Sequence, residues 1–397
     1  MDKRAILIFG VGELQKSIIG RAHEMGLFVV GIDPYEDAVC KDDCDVFEVV
    51  GGQDLERTIE VCHKYNIQGI VTAATDKPLV MMATVAEKLN FPFYSVQTAE
   101  WSTDKYQMKQ RFLEGAVPCA QGRVIATIDE VEGMSFPIIV KPRDNSGSRG
   151  VKLCHTKEDL QISIDEALDN SHLATVLVEE FIEGQEFSIE SLHYDGKTEV
   201  IQFTEKKTTE FPYNVELGHK QPANLSEDQR QQIRVIINKI AKCMRFDNCP
   251  SHTELKINNR GIFVIETSPR LGGDYITSIL TPLSTGINLE DQLLHIALGE
   301  PIDTRKGYMQ NASAVCFFFL PEGKVESIST EISEVNCWPG MVDFDLKLHV
   351  GDRINRITSS LNRYGQFIVR ANSRDEIDKW VEEYEKKLEN LITVTDV

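Results

Sequence analysis

Residues His252 to Gly273, HTELKINNRGIFVIETSPRLGG, put two carboxylates and an arginine on one predicted β-hairpin. Side chains alternate along a strand, so Glu254 and Lys256 leave the first arm opposite Thr253, Leu255 and Ile257. On the returning arm Ile262, Val264, Glu266, Ser268 and Arg270 share a face. A three-residue loop, Asn259-Arg260-Gly261 with Gly261 left-handed, sets Glu254 directly opposite Glu266. Such paired residues have Cβ atoms roughly 4.5–5.5 Å apart. Two ionised carboxylates that close repel unless one takes a proton or a cation bridges them. Oxygen ligands favour a hard ion such as Mg²⁺, which keeps waters and recruits phosphate oxygens. The plainer alternative is an exposed hairpin with solvated acids.

Basic groups that could meet a phosphate lie upstream. Trp101 to Phe112 predicts a helix with Thr103 as its N-cap, which brings Lys105 into the first turn and Lys109 one turn later. A cation at a helix N-terminus opposes the dipole and calls for a nearby anion. FPIIVKP predicts a strand ending at Lys141, and DNSGSRG follows it. The backbone N–H groups around Gly147, with the Ser146 and Ser148 hydroxyls, can wrap phosphate oxygens; a plain hairpin tip is the alternative. No G-K-[ST] opens a helix here, so this is not a P-loop. VLVEEFIEGQEFSIESLHY reads as a second hairpin turning at 183–185, with Glu179, Glu180 and Glu186 beside an apolar groove. Carboxylates there suit the amine of a purine and the hydroxyls of a ribose.

The elements that must carry these groups follow from the pattern. The first hundred residues alternate β and α: AILIF, a helix with Leu14, Ile18, Ile19, Ala22 and Met25, FVVGID, a helix capped by Asp54, and GIVTAA, with Pro78 where another helix can begin. That alternation predicts a parallel sheet. Gly10-Val11-Gly12 with Asp33 invites a dinucleotide reading, but Gln15 occupies the third glycine position, so the signal is weak.

With 397 residues the chain should form two or three domains. Its net charge of −20 argues against general nucleic-acid binding. Nine cysteines without a C-x-x-C pair point to a reducing compartment. No apolar run approaches a membrane span, and we expect a cytoplasmic protein that binds neither nucleic acid nor membrane.

In order, Lys105, Lys141 with its Gly/Ser loop, EEFIEGQEFS, HTELK and ETSPR resemble the ATP-grasp superfamily of carboxylate–amine ligases over roughly residues 1–300. KKTTEFPYNVELGHKQPANLS and SPRLGGD look most like the L-amino acid ligase, or dipeptide synthase, branch. The resemblance implies an α/β and α+β architecture in three parts. A Rossmann-like pre-ATP-grasp domain spans 1–100, the ATP-grasp domain 101–300, and a β-rich subdomain with a terminal helix 301–397. It implies ATP with Mg²⁺, or Mn²⁺ in its place. Residues matching Lys105, Lys141 and Lys206 reach the phosphates; Glu179 with the backbone at Phe181 and Ile182 holds adenine, and Glu186 the ribose. Glu254 and Glu266 match the metal carboxylates, Arg270 and the Gly273 N–H the groups facing an acyl phosphate, and Glu216 and His219 the groups facing amino-acid substrates. Ser268 stands where the family's E-x-N-P-R pattern has asparagine, a better metal ligand than a hydroxyl. The leading domain often pairs in this family, so a homodimer is among the expectations. The implied reaction joins a small-molecule carboxylate to an amine through an acyl phosphate. The alternatives are a purine-pathway ligase or carboxylase acting on a ribosylamine or bicarbonate, and a non-catalytic ATP- or NAD-binding protein.

Overall fold

The computed structural model describes residues 3–395 apart from Ser146, Ser148 and Lys306. The expected phosphate hydroxyls of Ser146 and Ser148 therefore lie outside the described residues.

The leading part is the predicted parallel sheet. Strands β1 (Ala5–Phe9), β2 (Phe28–Asp33), β3 (Val46–Val49) and β4 (Ile67–Val71) lie in the order β3-β2-β1-β4, all parallel. Buried on both faces, β1 reads as an unbroken apolar run. Helices Leu55–Lys64 and Leu79–Leu89 cover one face; helix Lys16–Glu24 and the distant helix Leu289–Ala297 cover the other. Asp54 caps its helix by accepting from the Arg57 N–H at 3.0 Å. Leu14 departs from expectation. It is 55% exposed because residues 13–15 form a 3₁₀ turn ahead of the α-helix, which rotates it off the apolar stripe.

The glycine turn after β1 is closed by its own chain. Gln15 Nε2 donates to Ala73 O at 2.6 Å, its Oε1 accepts from the Gly12 N–H at 3.1 Å, and Asp33 accepts from the Val11 N–H at 3.0 Å. Two amides of the glycine turn, at Val11 and Gly12, are thus engaged by the chain's own side chains, which weakens the NAD reading.

A small antiparallel sheet follows, in the order β5-β8-β6-β7: β5 (Gly122–Ile125), β6 (Ile138–Pro142), β7 (Lys152–Cys154) and β8 (Val176–Glu180). Helix Lys157–Asp169 packs on it. The large antiparallel sheet contains β9 (Gln185–Tyr194), β10 (Lys197–Thr208), β11 (Glu216–Gln221), β12 (Cys249–Asn258), β13 (Gly261–Ser268) and β14 (Ala312–Phe317). The short strands β15 (Gly323–Ile328), β17 (Arg353–Ile354) and β19 (Ile392–Thr395) make a separate three-stranded sheet, while β16 (Met341–Leu346) and β18 (Gly365–Ala371) join the large one. Its order is β13-β12-β9-β10-β11-β14-β18-β16, so strands beyond residue 300 extend the same sheet. Helix Arg374–Leu391 buries Ile377, Val381, Tyr384 and Leu388 on one face, as its period predicts. Among the described residues no helix is long and apolar enough to cross a membrane.

The predicted hairpin of Val176–Tyr194 is not one. β8 belongs to the small sheet and β9 to the large sheet, and residues 181–184 cross between them. The local pattern of strand, turn and strand was correct, but each strand finds its partners elsewhere in the chain. Gly184 makes the crossing possible: at φ +144° a Cβ there would lie 2.4 Å from Ile257 O.

One buried group gives an acid-side prediction. His193 bonds Thr198 Oγ1 at 3.0 Å and Ser251 Oγ at 2.8 Å, and burial pushes its pKa down to about 3. Only the unfolded chain binds that proton between roughly pH 6.5 and 3, so stability falls with pH in this window by about 1.4 kcal/mol per unit. Replacing it by His193→Gln should narrow the Tm gap to the parent as pH drops from 7 to 4; a constant gap would contradict this.

Candidate active site

The charged groups converge on one face of the large sheet. Alternation sends His252, Glu254 and Lys256 to one side of β12, and register pairs them with Glu190, Ser188 and Glu186 of β9. Lys206 of β10 stands opposite His219 of β11. The other face, with Phe187, Ile189, Leu255 and Val264, packs into the main core against helix Glu227–Met244.

Glu254 does pair with Glu266, though by a different route from the one expected. The loop has two residues, Asn258 pairs with Gly261, and the register then shifts at a bulge where Ile265 is the extra residue. Without the bulge Glu266 would follow Ile262 and Val264 onto the buried face. With it, Ile265, Glu266, Glu254 and Lys256 all line the same cavity.

That cavity runs between the two sheets behind the crossing segment. Of the predicted residues it brings together Lys105, Lys141, Gly147, Glu179, Phe181 and Ile182, together with Glu186, Glu254 and Glu266. It opens alongside a cleft of about 730 Å³ that contains Lys206 and His219. Both share Phe181, Glu186, Phe211, Asn214 and Lys256. The Phe181 and Phe211 rings meet edge to face with centroids 5.2 Å apart, and Lys256 Nζ lies 5.1 Å from the Phe181 centroid. Glu186 is held by Lys256 at 3.0 Å and by Asn214 Nδ2 at 3.0 Å. The Phe181 N–H donates to Pro137 O at 3.3 Å, which ties the crossing segment to the small sheet.

Each lysine rests on an acid. Lys105 Nζ donates to Glu266 Oε2 at 2.5 Å, and Lys206 Nζ lies 2.7 Å from Glu254 Oε1 and 3.3 Å from Glu216 Oε1. Lys141 and Lys109 both pair with Glu179, which sits buried between them. Burial alone would raise the Glu179 carboxyl, but the ammoniums of Lys141 and Lys109 outweigh it and hold it below the usual range. Burial likewise opposes the Lys206 charge; Glu254 and then Glu216 override it and keep this ammonium well above the ordinary lysine range. His252, bonded to Glu190 at 2.7 Å, is lowered by burial but raised further by Glu190, reaching about 9.

Lys105 opens helix Lys105–Glu114, but its N-cap is Asp104 rather than Thr103, which ends the preceding helix Val96–Thr103. Asp104 accepts from the Tyr106 N–H at 2.9 Å and also pairs with Arg143. Its short carboxylate serves the cap better than a threonine one residue earlier. Exchanging it, Asp104→Ala, should cost about 1–2 kcal/mol, read as a lower urea midpoint with unchanged m; an unchanged midpoint would contradict the cap.

Arg270 is fastened from the leading domain. Its Nε and Nη2 meet Asp76 at 3.0 and 3.1 Å, and its Nη1 donates to Leu271 O at 3.0 Å. Ser268, in place of the asparagine that the resemblance leads one to expect, donates to the same Asp76 at 2.5 Å. Asp76 follows the carboxyl end of β4, where parallel sheets place ligand groups, and that position was the signal that could have identified it. Lys256 was legible too, since it shares the face of Glu254. Neither Arg270 nor Gly273 lines the cavity between the sheets; Gly273 lies beside Ala74 and precedes Asp274 and Tyr275, both in the left-handed region at φ +49° and +65°. Arg363 grips Asp274 with Nη1 and Nη2 at 2.8 and 2.6 Å, and His219 Nε2 lies 3.6 Å from Asp274. Glu216 and His219 are thus placed at the Lys206 end of the site, next to an ion pair whose arginine comes from the turn before β18.

The donor set suits Mg²⁺. Glu254 and Glu266 offer oxygen ligands from opposed positions, and among the described residues no group of three His, Cys, Asp or Glu could hold a metal. Mg²⁺ is commonly bound by one or two carboxylates completed by phosphate oxygens and waters, not by an all-protein cage.

Comparison with known proteins bears on the fold and on two parts of the chain. The ATP-grasp domain family matches residues 134–278, and the L-amino acid ligase C-terminal domain 2 matches 316–390. An alanine–anticapsin ligase of Bacillus amyloliquefaciens is 24% identical over 285 residues, covering 64% of this chain and 59% of its own length. The chain thus spans about three fifths of that relative. The L-amino acid ligase structure from Bacillus licheniformis superposes with a TM-score of 0.82 at 20% identity, covering both chains fully. Phosphoribosylglycinamide synthetase from Anaerococcus prevotii superposes at 0.75, also at 20% identity with full coverage of both chains. Two consecutive family matches thus identify two parts of the chain: residues 134–278 are an ATP-grasp domain and residues 316–390 an L-amino acid ligase C-terminal domain 2.

Proposed function

We propose that the protein joins a carboxylate to an amine, both amino acids or close relatives, with ATP converted to ADP and phosphate. In the first step a substrate carboxylate oxygen attacks the γ-phosphorus and ADP leaves, giving an acyl phosphate. In the second an amine nitrogen attacks the acyl carbon, phosphate leaves, and the nitrogen loses a proton. The observation that carries this reading is the opposed pair Glu254 and Glu266 facing a cavity with Lys105 and Lys141.

Phosphoryl transfer demands positioning and neutralisation of developing charge more than covalent chemistry. Lys105, Lys141 and Lys206 supply fixed positive charge around the phosphates. Glu179 and Lys109 hold Lys141 in place. Phe181, Ile182 and Glu186 frame the base and ribose at the crossing segment. Mg²⁺ bound by Glu254 and Glu266 would draw charge from the phosphate oxygens. Arg270, oriented by Asp76, faces the acyl phosphate oxygens, while Glu216 and His219 take the amino-acid end.

A phosphate-release screen over pairs of amino acids tests this. Turnover that needs both an acid and an amine supports it. Turnover triggered by bicarbonate or a ribosylamine, with the amino-acid panel silent, would move the assignment to the purine-type alternative.

A further inference from the structure

The two acids assigned to the metal are each already engaged by a lysine assigned to the phosphates. Lys105 sits on Glu266 at 2.5 Å and Lys206 on Glu254 at 2.7 Å. These contacts are sheltered: the Lys206 side chain is 3% exposed and Lys105 15%. A divalent ion cannot take either carboxylate at full strength while an ammonium remains on it, because like charges at that range repel strongly in a poorly solvated site. Nor can a triphosphate draw the lysines away cheaply, since that strands two carboxylates beside an anion. Each change becomes favourable only when the other happens with it.

Lys206 also has a second seat. Its Nζ lies 3.3 Å from Glu216 Oε1, on the side away from Glu254. The chain runs Glu190, His252, Glu254, Lys206, Glu216, with alternating charge across β9, β12, β10 and β11. A shift of Lys206 toward Glu216 frees Glu254 without leaving the ammonium unpaired.

We propose that Lys206 and Lys105 guard the metal carboxylates Glu254 and Glu266, that Glu216 receives Lys206 when it moves, and that metal and nucleotide therefore bind as an obligately coupled pair. The inference rests on the metal and phosphate assignments above and extends them, because it gives Glu216 a positioning role and makes the lysines antagonists of the bare metal. Two opposed acids fit this arrangement: a carboxylate pair held by ammoniums suits a metal that arrives with phosphate oxygens and waters as its other ligands.

The test uses the full chain and Mn²⁺ as a paramagnetic probe. Free Mn²⁺ is counted by electron paramagnetic resonance with and without ADP, corrected by protein-free samples. The parent protein should bind Mn²⁺ weakly alone and at least about tenfold more tightly with ADP, within the usual range of coupling between sites. Lys206→Met should raise nucleotide-independent Mn²⁺ affinity by about tenfold and shrink the effect of ADP. Lys105→Met, at a more exposed position, should do the same and serves if the buried Lys206 variant folds poorly. Glu216→Gln should reduce the coupling without tightening Mn²⁺ alone, and Glu254→Gln in the Lys206→Met background should remove the gained affinity.

Tight Mn²⁺ binding by the parent without ADP would overturn the guard. So would lysine variants that bind Mn²⁺ no better than the parent while the ADP-dependent binding persists, and this result leaves the metal assignment intact. If Mn²⁺ stays free even with ADP, the metal assignment fails and the inference fails with it.

Discussion

Lys141→Ala and Glu266→Ala should each lower kcat by roughly 10³-fold or more, about 4 kcal/mol of transition-state stabilisation, with the fold retained. The two reach the same outcome by different physics. Lys141 supplies charge to a phosphate. Removing it does not strand its buried partner, because Glu179 keeps Lys109 at 2.5 Å. The melting temperature should therefore fall only modestly, although truncating one partner of a buried pair is ordinarily severe. Glu266 is 28% exposed, and its loss leaves Asp76 and Glu254 near Lys105 to balance its charge. The two variants differ in their metal response: raising Mg²⁺ should partly restore Glu266→Ala, through Glu254 and phosphate oxygens, and leave Lys141→Ala unchanged. Steady-state kinetics across a Mg²⁺ series, beside thermal melts, checks both. Normal rates in either variant would contradict the phosphate and metal assignments.

The Arg270 and Asp76 pair carries the second large effect. Arg270→Ala removes the cation assigned to the acyl phosphate and leaves Asp76 with the Ser268 hydroxyl and the more distant charge of Lys105. Burial would raise the Asp76 carboxyl, yet Arg270 holds it below the ordinary range, so the pair stabilises the fold at neutral pH. Its share is present above the unfolded value near 4 and lost as pH falls through the depressed one. Breaking it should cost about 3 kcal/mol and abolish turnover. Adding Asp76→Asn to Arg270→Ala should recover much of the stability, because no uncompensated charge remains, and none of the activity. A double-mutant cycle read by urea melts and by phosphate release separates the two roles. Activity that returns with stability would show that Arg270 acts only by tying the leading domain to the hairpin.

Local patterns were legible, and long-range partners were not. The period-2 alternation of HTELK located the charged face, and the βα alternation located the parallel sheet, because both are set by neighbouring residues. The Glu254–Glu266 pairing came out right although the loop is one residue shorter than expected, since the bulge at Ile265 restores the count. No local signal announces such a bulge. The Val176–Tyr194 segment was misread for the same reason: turn residues mark where a chain changes direction, not which strands it then joins. Asp76, Asn214 and Arg363 reach the site from segments far apart in sequence, and pairing them requires the folded sheet. Thr103 lost the cap to Asp104 through one residue of helix boundary, the least certain quantity in any such reading.

The most direct test of the central claim is a crystal structure with Mg²⁺ and a non-hydrolysable ATP analogue. We expect carboxylate oxygens of Glu254 and Glu266 about 2.1 Å from a metal that also touches the phosphates, with Lys105 and Lys206 turned from those acids. A nucleotide bound elsewhere, or these two side chains remote from any metal, would contradict the account.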